Sequence, residues 1–176
     1  MLPANSWCLM DGGIDLALST KVFPGIEPLV KKTMRALPIT NLLGRNYLPI
    51  GSSIIIDDTA CKSLIVAPTM LLPQSVAGTN NAYYATMSIL YNILIHKKEN
   101  LETIDILFTS LCCGYGKMSA EESVTQIVHG IHNYHTYLPE NTSPNAVIKE
   151  PNLEEQPNYY QNTEWFDIKP SDIILC

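Results

Sequence analysis

The sequence predicts an α/β fold in three layers, with helices on both faces of a sheet. Three observations carry this expectation. Leu64 to Ala67 is a short unbroken apolar run before Pro68, the pattern of a strand buried on both faces. Asn80 to Lys98 is a long segment with apolar residues at helical spacing. Strand, Gly-rich loop and helix follow one another twice, over 1–20 and 104–137, so strands alternate with helices.

Each element has its own justification. Residues 1–5 are too short to be read as a strand by themselves. Gly13 to Thr20 reads as a short helix that Pro24 ends. Ile26 to Leu37 places Ile26, Leu29, Val30, Met34 and Leu37 near helical spacing, with Pro28 in the first turn, where a missing N–H matters little. Tyr47–Ile50 and Ser53–Ile56 read as two short strands, or one strand broken near Gly51. In the long helix, Tyr83, Tyr84, Met87, Leu90, Tyr91, Leu94 and Ile95 fall on one side, its apolar face. Ile104 to Phe108 reads as another short buried strand, running into Cys112-Cys113-Gly114-Tyr115-Gly116. Ser119 then opens a helix with Glu122 three residues later, a capping box, and Ile127, Ile131 and Tyr134 continue its apolar face.

Composition bounds the partners. The chain has 176 residues, 46% hydrophobic and 16% charged, which suits one packed domain. Its net charge of −6 gives no attraction for nucleic acid phosphate. From Pro139 onward seven acids face Lys149 and Lys169, so the tail carries −5 of the −6. The expected organisation is a domain over 1–138 and an acidic, mostly irregular tail over 139–176. In that tail Trp165-Phe166 and Ile173-Ile174-Leu175 either dock on the domain or form a short motif for a partner. Five cysteines without CxxC spacing suit neither a disulfide framework nor a zinc site. No apolar run reaches the ~20 residues a membrane helix needs, and no signal peptide is discernible, so a soluble, intracellular, cytoplasmic protein without a membrane partner is expected.

The chemistry-bearing residues lie at the front and in the late Gly-rich loop. Asn5 offers a donor and an acceptor to a sugar hydroxyl or a water, and Asp15 offers a base or a ribose partner. Between them Asp11-Gly12-Gly13-Ile14 forms a turn that backbone can bring close to a ligand, at the mouth of a helix whose free amides favour an anion. The structural alternative is that Asn5 holds a turn and Asp15 caps the helix. Gly114-Tyr115-Gly116 can make a nest of N–H groups for a phosphate, or a plain tight turn before a capped helix. His129, His132 and His135 recur every three residues, either as a surface helix face or as part of a metal set that no carboxylate or cysteine completes.

Three blocks in order resemble the macro domain family of ADP-ribose-binding proteins. They are Pro3-Ala4-Asn5 through Asp15, Leu64 through Met70 followed by Gly78-Thr79-Asn80-Asn81-Ala82-Tyr83, and Leu111 through Ser119. The resemblance covers roughly residues 1–138. It implies a macro-type mixed sheet in a three-layer α/β/α sandwich, with residues 1–5 ending a buried strand. It also implies a ligand, ADP-ribose or an ADP-ribosylated protein, and no metal or cofactor. Asn5 and Asp15 match the residues that hold the distal ribose and position a water in hydrolytic members. Ala4, Asp11, Gly12, Gly13, Ile14, Cys113, Gly114, Tyr115 and Gly116 would line the ligand, with Tyr115 packed over the distal ribose.

Some positions depart from the family pattern. Leu2-Pro3-Ala4-Asn5 stands where many members have Asn-Ala-Ala-Asn, and Met10-Asp11 replace two glycines. Members also carry a strand–helix–strand segment before this block, ending in a Gly-Asp-Ile-type motif whose aspartate holds adenine. The expectation is that Met1 is internal to a longer product, or that the domain lacks its adenine end. Three functions follow from the resemblance: hydrolysis of an ADP-ribosyl bond, non-catalytic reading of ADP-ribose, or a degenerate macro fold used as a protein-interaction module.

Overall fold

Six consecutive side chains, Leu64 through Thr69, are buried in strand β5 (Ser63–Met70), so this strand has core on both faces. The computed structural model describes residues 1–37, 41–42, 45–57, 63–96 and 105–137. The expected tail over 139–176 lies outside the described residues, as do Lys97, Lys98, Ile104 and Leu138. β5 is the centre of a three-stranded mixed sheet. On one side β1 (Leu2–Asn5) runs parallel to it, with Leu2 opposite Val66 and Ala4 opposite Pro68. On the other, β4 (Ile54–Asp57) runs antiparallel, with Ile54 opposite Val66 and Asp57 opposite Ser63. β5 runs on through Pro68 to Met70, past the apolar run of Leu64 to Ala67. Pairing with β4 reaches only to Val66, so a residue without an N–H is tolerated beyond it.

Alternation along β5 divides the core in two. Leu64 and Val66 join Leu2, Ala4, Ile54 and Ile56 in one cluster, against Ile26, Val30 and Met34 of α2 (Ile26–Ala36). Ile65 and Ala67 join the other, against Ala82, Ala85 and Ile89 of α3 (Asn81–His96) and Leu111, Cys112 and Met118. The protein is therefore mixed α/β, with four α-helices among the described residues: α1 (Gly13–Ala17), α2, α3 and α4 (Ala120–Tyr137). The helix expected to reach Thr20 is α-helical only to Ala17 and continues as a π turn over Leu18–Val22, ending before Pro24 as expected. Gly25, with φ of 82°, opens α2. A two-residue ladder pairs β2 (Asn41–Leu42) with β3 (Arg45–Asn46).

The buried face of α3 is not the expected one. Ala82, Ala85, Thr86 and Ile89 are buried, whereas Tyr84 and Ile95 are among the exposed side chains. The reason is a close helix crossing. A Cβ on Gly130 of α4 would lie 2.8 Å from Thr86 Cβ, so the backbones meet over small residues and the bulky ones turn outward. Asn133 Nδ2 donates to Tyr83 Oη at 3.0 Å across the same pair.

Two expected strands form no ladder among the described residues. Tyr47–Ile50 forms no ladder: Pro49 accepts from Ser52 N–H and Oγ at 3.1 and 2.6 Å, making a turn with Gly51 at φ 85°. Residues 105–108 also form no ladder, and Leu107 is 76% exposed. β1 offers an outer neighbour only four residues, including Pro3 without an N–H. No helix among the described residues is long and apolar enough to cross a membrane.

Candidate functional site

The register of β1 against β5 slips between Ala4 and Asn5, an irregularity that re-aims the side chain at the strand's end. Asn5 is buried, 6% exposed, and its amide closes its own loop. Oδ1 accepts from the N–H groups of Trp7 and Leu9 at 3.1 and 3.3 Å, and Nδ2 donates to the Leu9 carbonyl at 3.1 Å. Cys8 N–H donates to the Asn5 carbonyl at 2.8 Å. The left-handed Cys8, φ 51°, completes a tight loop over 5–9. Ala4 is a core residue, so only its backbone is available to a ligand.

The Gly-Gly turn follows. Gly12 is the N-cap of α1 and no side chain caps that end, so Asp15 does not serve as the cap. Gly13 has φ of 59°, a left-handed conformation that glycine adopts freely. α1 has only five residues and none is buried, with Ile14 exposed. A helix this short adds little dipole to anion binding, less than the sequence suggested.

Asp15 is half-buried, and burial together with the Asp11 carboxylate pushes its pKa up to about 7. Burial, with a smaller contribution from Asp15, pushes the Cys8 thiol up to about 12, against the opposing pull of Lys31. The sign of the Asp15 effect on stability is fixed. Its folded pKa lies above the ordinary 3.8, so the native state holds the extra proton between these values. The stabilisation is full below about pH 4 and is lost as pH rises through about 7. Asp15→Asn is therefore expected to flatten the stability–pH curve across that window and to exceed wild type at pH 8 by on the order of 1 kcal/mol. Urea midpoints at pH 5, 6.5 and 8 test this, and an unchanged slope in the variant contradicts it.

The second loop leads into α4 and is pinned throughout. Met118 N–H donates to Cys112 O at 3.1 Å, Lys117 N–H to Gly114 O at 3.1 Å, and Val76 N–H to Gly116 O at 2.8 Å. Ser123 Oγ donates to Leu111 O at 2.7 Å. Cys113 Sγ makes weak contacts to Leu111 O and Ser119 O at 3.3 and 3.8 Å. Cys112 is buried and its thiol is pushed up to about 12, chiefly by burial, so it is inert near neutral pH. Gly116 is confined: a Cβ there would meet Cys112 O at 2.2 Å. Gly114 is open, with nothing within 4 Å of the same position.

The two loops come together. A Cβ on Gly12 would touch Tyr115 Cε2 at 3.8 Å, so the Tyr115 ring stands against the Gly-Gly turn while remaining 67% exposed. Of the residues singled out in the sequence, Gly12 and Tyr115 are in direct proximity, and the Asp11 carboxylate contributes to raising Asp15. Asn5 faces its own loop, and Gly116 serves the fold.

Sequence reasoning missed two contributors. Glu122 does not return its side chain to Ser119 as a full capping box does. Ser119 Oγ accepts from Glu122 N–H at 3.0 Å, but the Glu122 carboxylate accepts from Gly78 N–H at 3.2 Å and so ties α4 to the loop after β5. Gln126 Nε2 donates to Thr79 O in the same loop at 2.6 Å. Only i,i+3 spacing was visible for Glu122, and nothing in the sequence marked Gln126. Among the described residues no three His, Cys, Asp or Glu side chains are grouped to hold a metal ion. No protein-family model matches the chain, and no curated protein matches it.

Proposed function

We propose that the protein is a macro-type three-layer α/β/α domain that binds ADP-ribose, free or attached to a protein. The observation that carries the reading is the meeting of the Gly12-Gly13 turn with Tyr115 of the second loop. Glycine-bearing loops let backbone approach a diphosphate closely, and the exposed Tyr115 ring against the Gly12 turn suits a sugar face. The loops keep the order and spacing that the resemblance implies for a diphosphate and its distal ribose.

Between hydrolysis and reading, the geometry of Asn5 favours reading. Its amide is engaged by three bonds within residues 5–9, which makes it a scaffold for the loop rather than a free partner for a water. Asp15 is the carboxyl at the turn, and with a pKa near neutrality it can donate or accept toward a ribose hydroxyl.

Titration calorimetry with ADP-ribose and with AMP tests the reading. ADP-ribose is expected to bind at least tenfold more tightly than AMP, a difference of about 1.4 kcal/mol. No heat and no thermal shift at millimolar ADP-ribose, with folded protein, contradicts it. Release of ADP-ribose from a modified acidic peptide would move the function from reader to hydrolase.

A further inference from the structure

Among the described residues three other than glycine occupy the left-handed region, and all three lie on the two loops: Cys8 at φ 51°, Cys112 at 64° and Lys117 at 54°. Such a conformation strains an L-residue, and it persists only where surroundings over-determine it or a side chain is needed. For the cysteines the need is plain. Cys8 is fully buried and Cys112 nearly so, each filling core that glycine would leave empty. Lys117 is different. Its residue is exposed and belongs to neither core cluster, so packing gives no reason for a side chain there.

Its charge gives one. Over 5–16 and 111–119, the stretches that make the two loops, Lys117 is the only lysine or arginine, against Asp11 and Asp15. It stands two residues after Tyr115, in the turn closed by its own N–H to Gly114 O. A dianionic diphosphate approaching a turn that carries Asp11 and Asp15 gains from a counter-charge, and a lysine gives a point charge on a long stem. We infer that Lys117 is the specificity-determining cation of the two-loop site, kept in a left-handed backbone that glycine would occupy with less strain. The inference rests on the reading of the site as an ADP-ribose binder.

The test separates charge from backbone. Lys117→Gln removes the charge and keeps the strain; Lys117→Arg keeps both; Lys117→Gly removes both. Titration with ADP-ribose is expected to show about tenfold weaker binding and a shallower salt dependence for the Gln and Gly variants, with Arg near wild type. Lys117→Gly alone is expected to melt about 2 °C higher, because the left-handed strain is gone. If wild type binds ADP-ribose and Lys117→Gln binds within twofold of it, the inference is overturned and the two-loop reading stands. A lower melting temperature for Lys117→Gly overturns the strain argument. If wild type itself does not bind, both readings fall.

Discussion

Gly116→Ala is expected to unfold the second loop and cost about 3 kcal/mol of stability. The added Cβ would lie 2.2 Å from the Cys112 carbonyl oxygen and 2.8 Å from Val76 Cγ2. Backbone on one side and a core side chain on the other leave no cheap direction of escape. Movement of the Cys112 carbonyl would break the Met118 N–H bond, and movement of Gly116 would break the Val76 N–H bond. Gly114→Val is the control. Its position is open, so that variant is expected to keep its urea midpoint while weakening the proposed ADP-ribose binding. Equal stability of Gly116→Ala and wild type in urea would show that the loop is looser than its hydrogen bonds imply.

Asn5→Ala is expected to lose about 2–3 kcal/mol, because it strips partners from the Trp7 and Leu9 N–H groups and from the Leu9 carbonyl at once. Asn5→Asp keeps an acceptor for the two N–H groups and loses only the donor, so it should fall between. Stability and ADP-ribose affinity should decline together across this series, as expected of a residue that shapes the site. A large loss of turnover on modified peptide with an unchanged denaturation midpoint would instead make Asn5 a catalytic residue.

Much of the fold was legible because the residues repeat with a period. Ile26, Val30 and Met34 mark the buried stripe of α2, and the unbroken run from Leu64 marks a strand with core on both sides. Where the period was ambiguous the reading failed. α3 is apolar nearly all round, so its inner face was decided by where small residues allow α4 to approach, a property of two helices together. Tyr47–Ile50 and residues 105–108 have strand composition but pair with no neighbour among the described residues, and composition does not report neighbours. At the site, the approach of Tyr115 to Gly12 brings together positions about a hundred residues apart, which only a resemblance could suggest. The bonds of Asn5 within its own loop were one of two local readings, and no spacing rule separates them.

The mixed sheet has a consequence for the order of assembly. β4 and β5 join through a short connection, with Asp57 and Ser63 six positions apart and bonded through Ser63 Oγ at 2.6 Å. β1 joins β5 across a much longer excursion: Ser6, just beyond it, is bonded to Met70, 64 positions away. Closing a tenfold longer loop costs about 2 kcal/mol more in chain entropy. The β4–β5 hairpin can therefore form early, and docking β1 on β5 is the costlier closure. Because β1 carries the chain straight into the Gly12-Gly13 turn, transient detachment of this one strand would dissolve half of the proposed ligand site and leave the hairpin and α3 in place. On the proposed reading, a ligand held by that turn would prolong the time the first strand stays in the sheet.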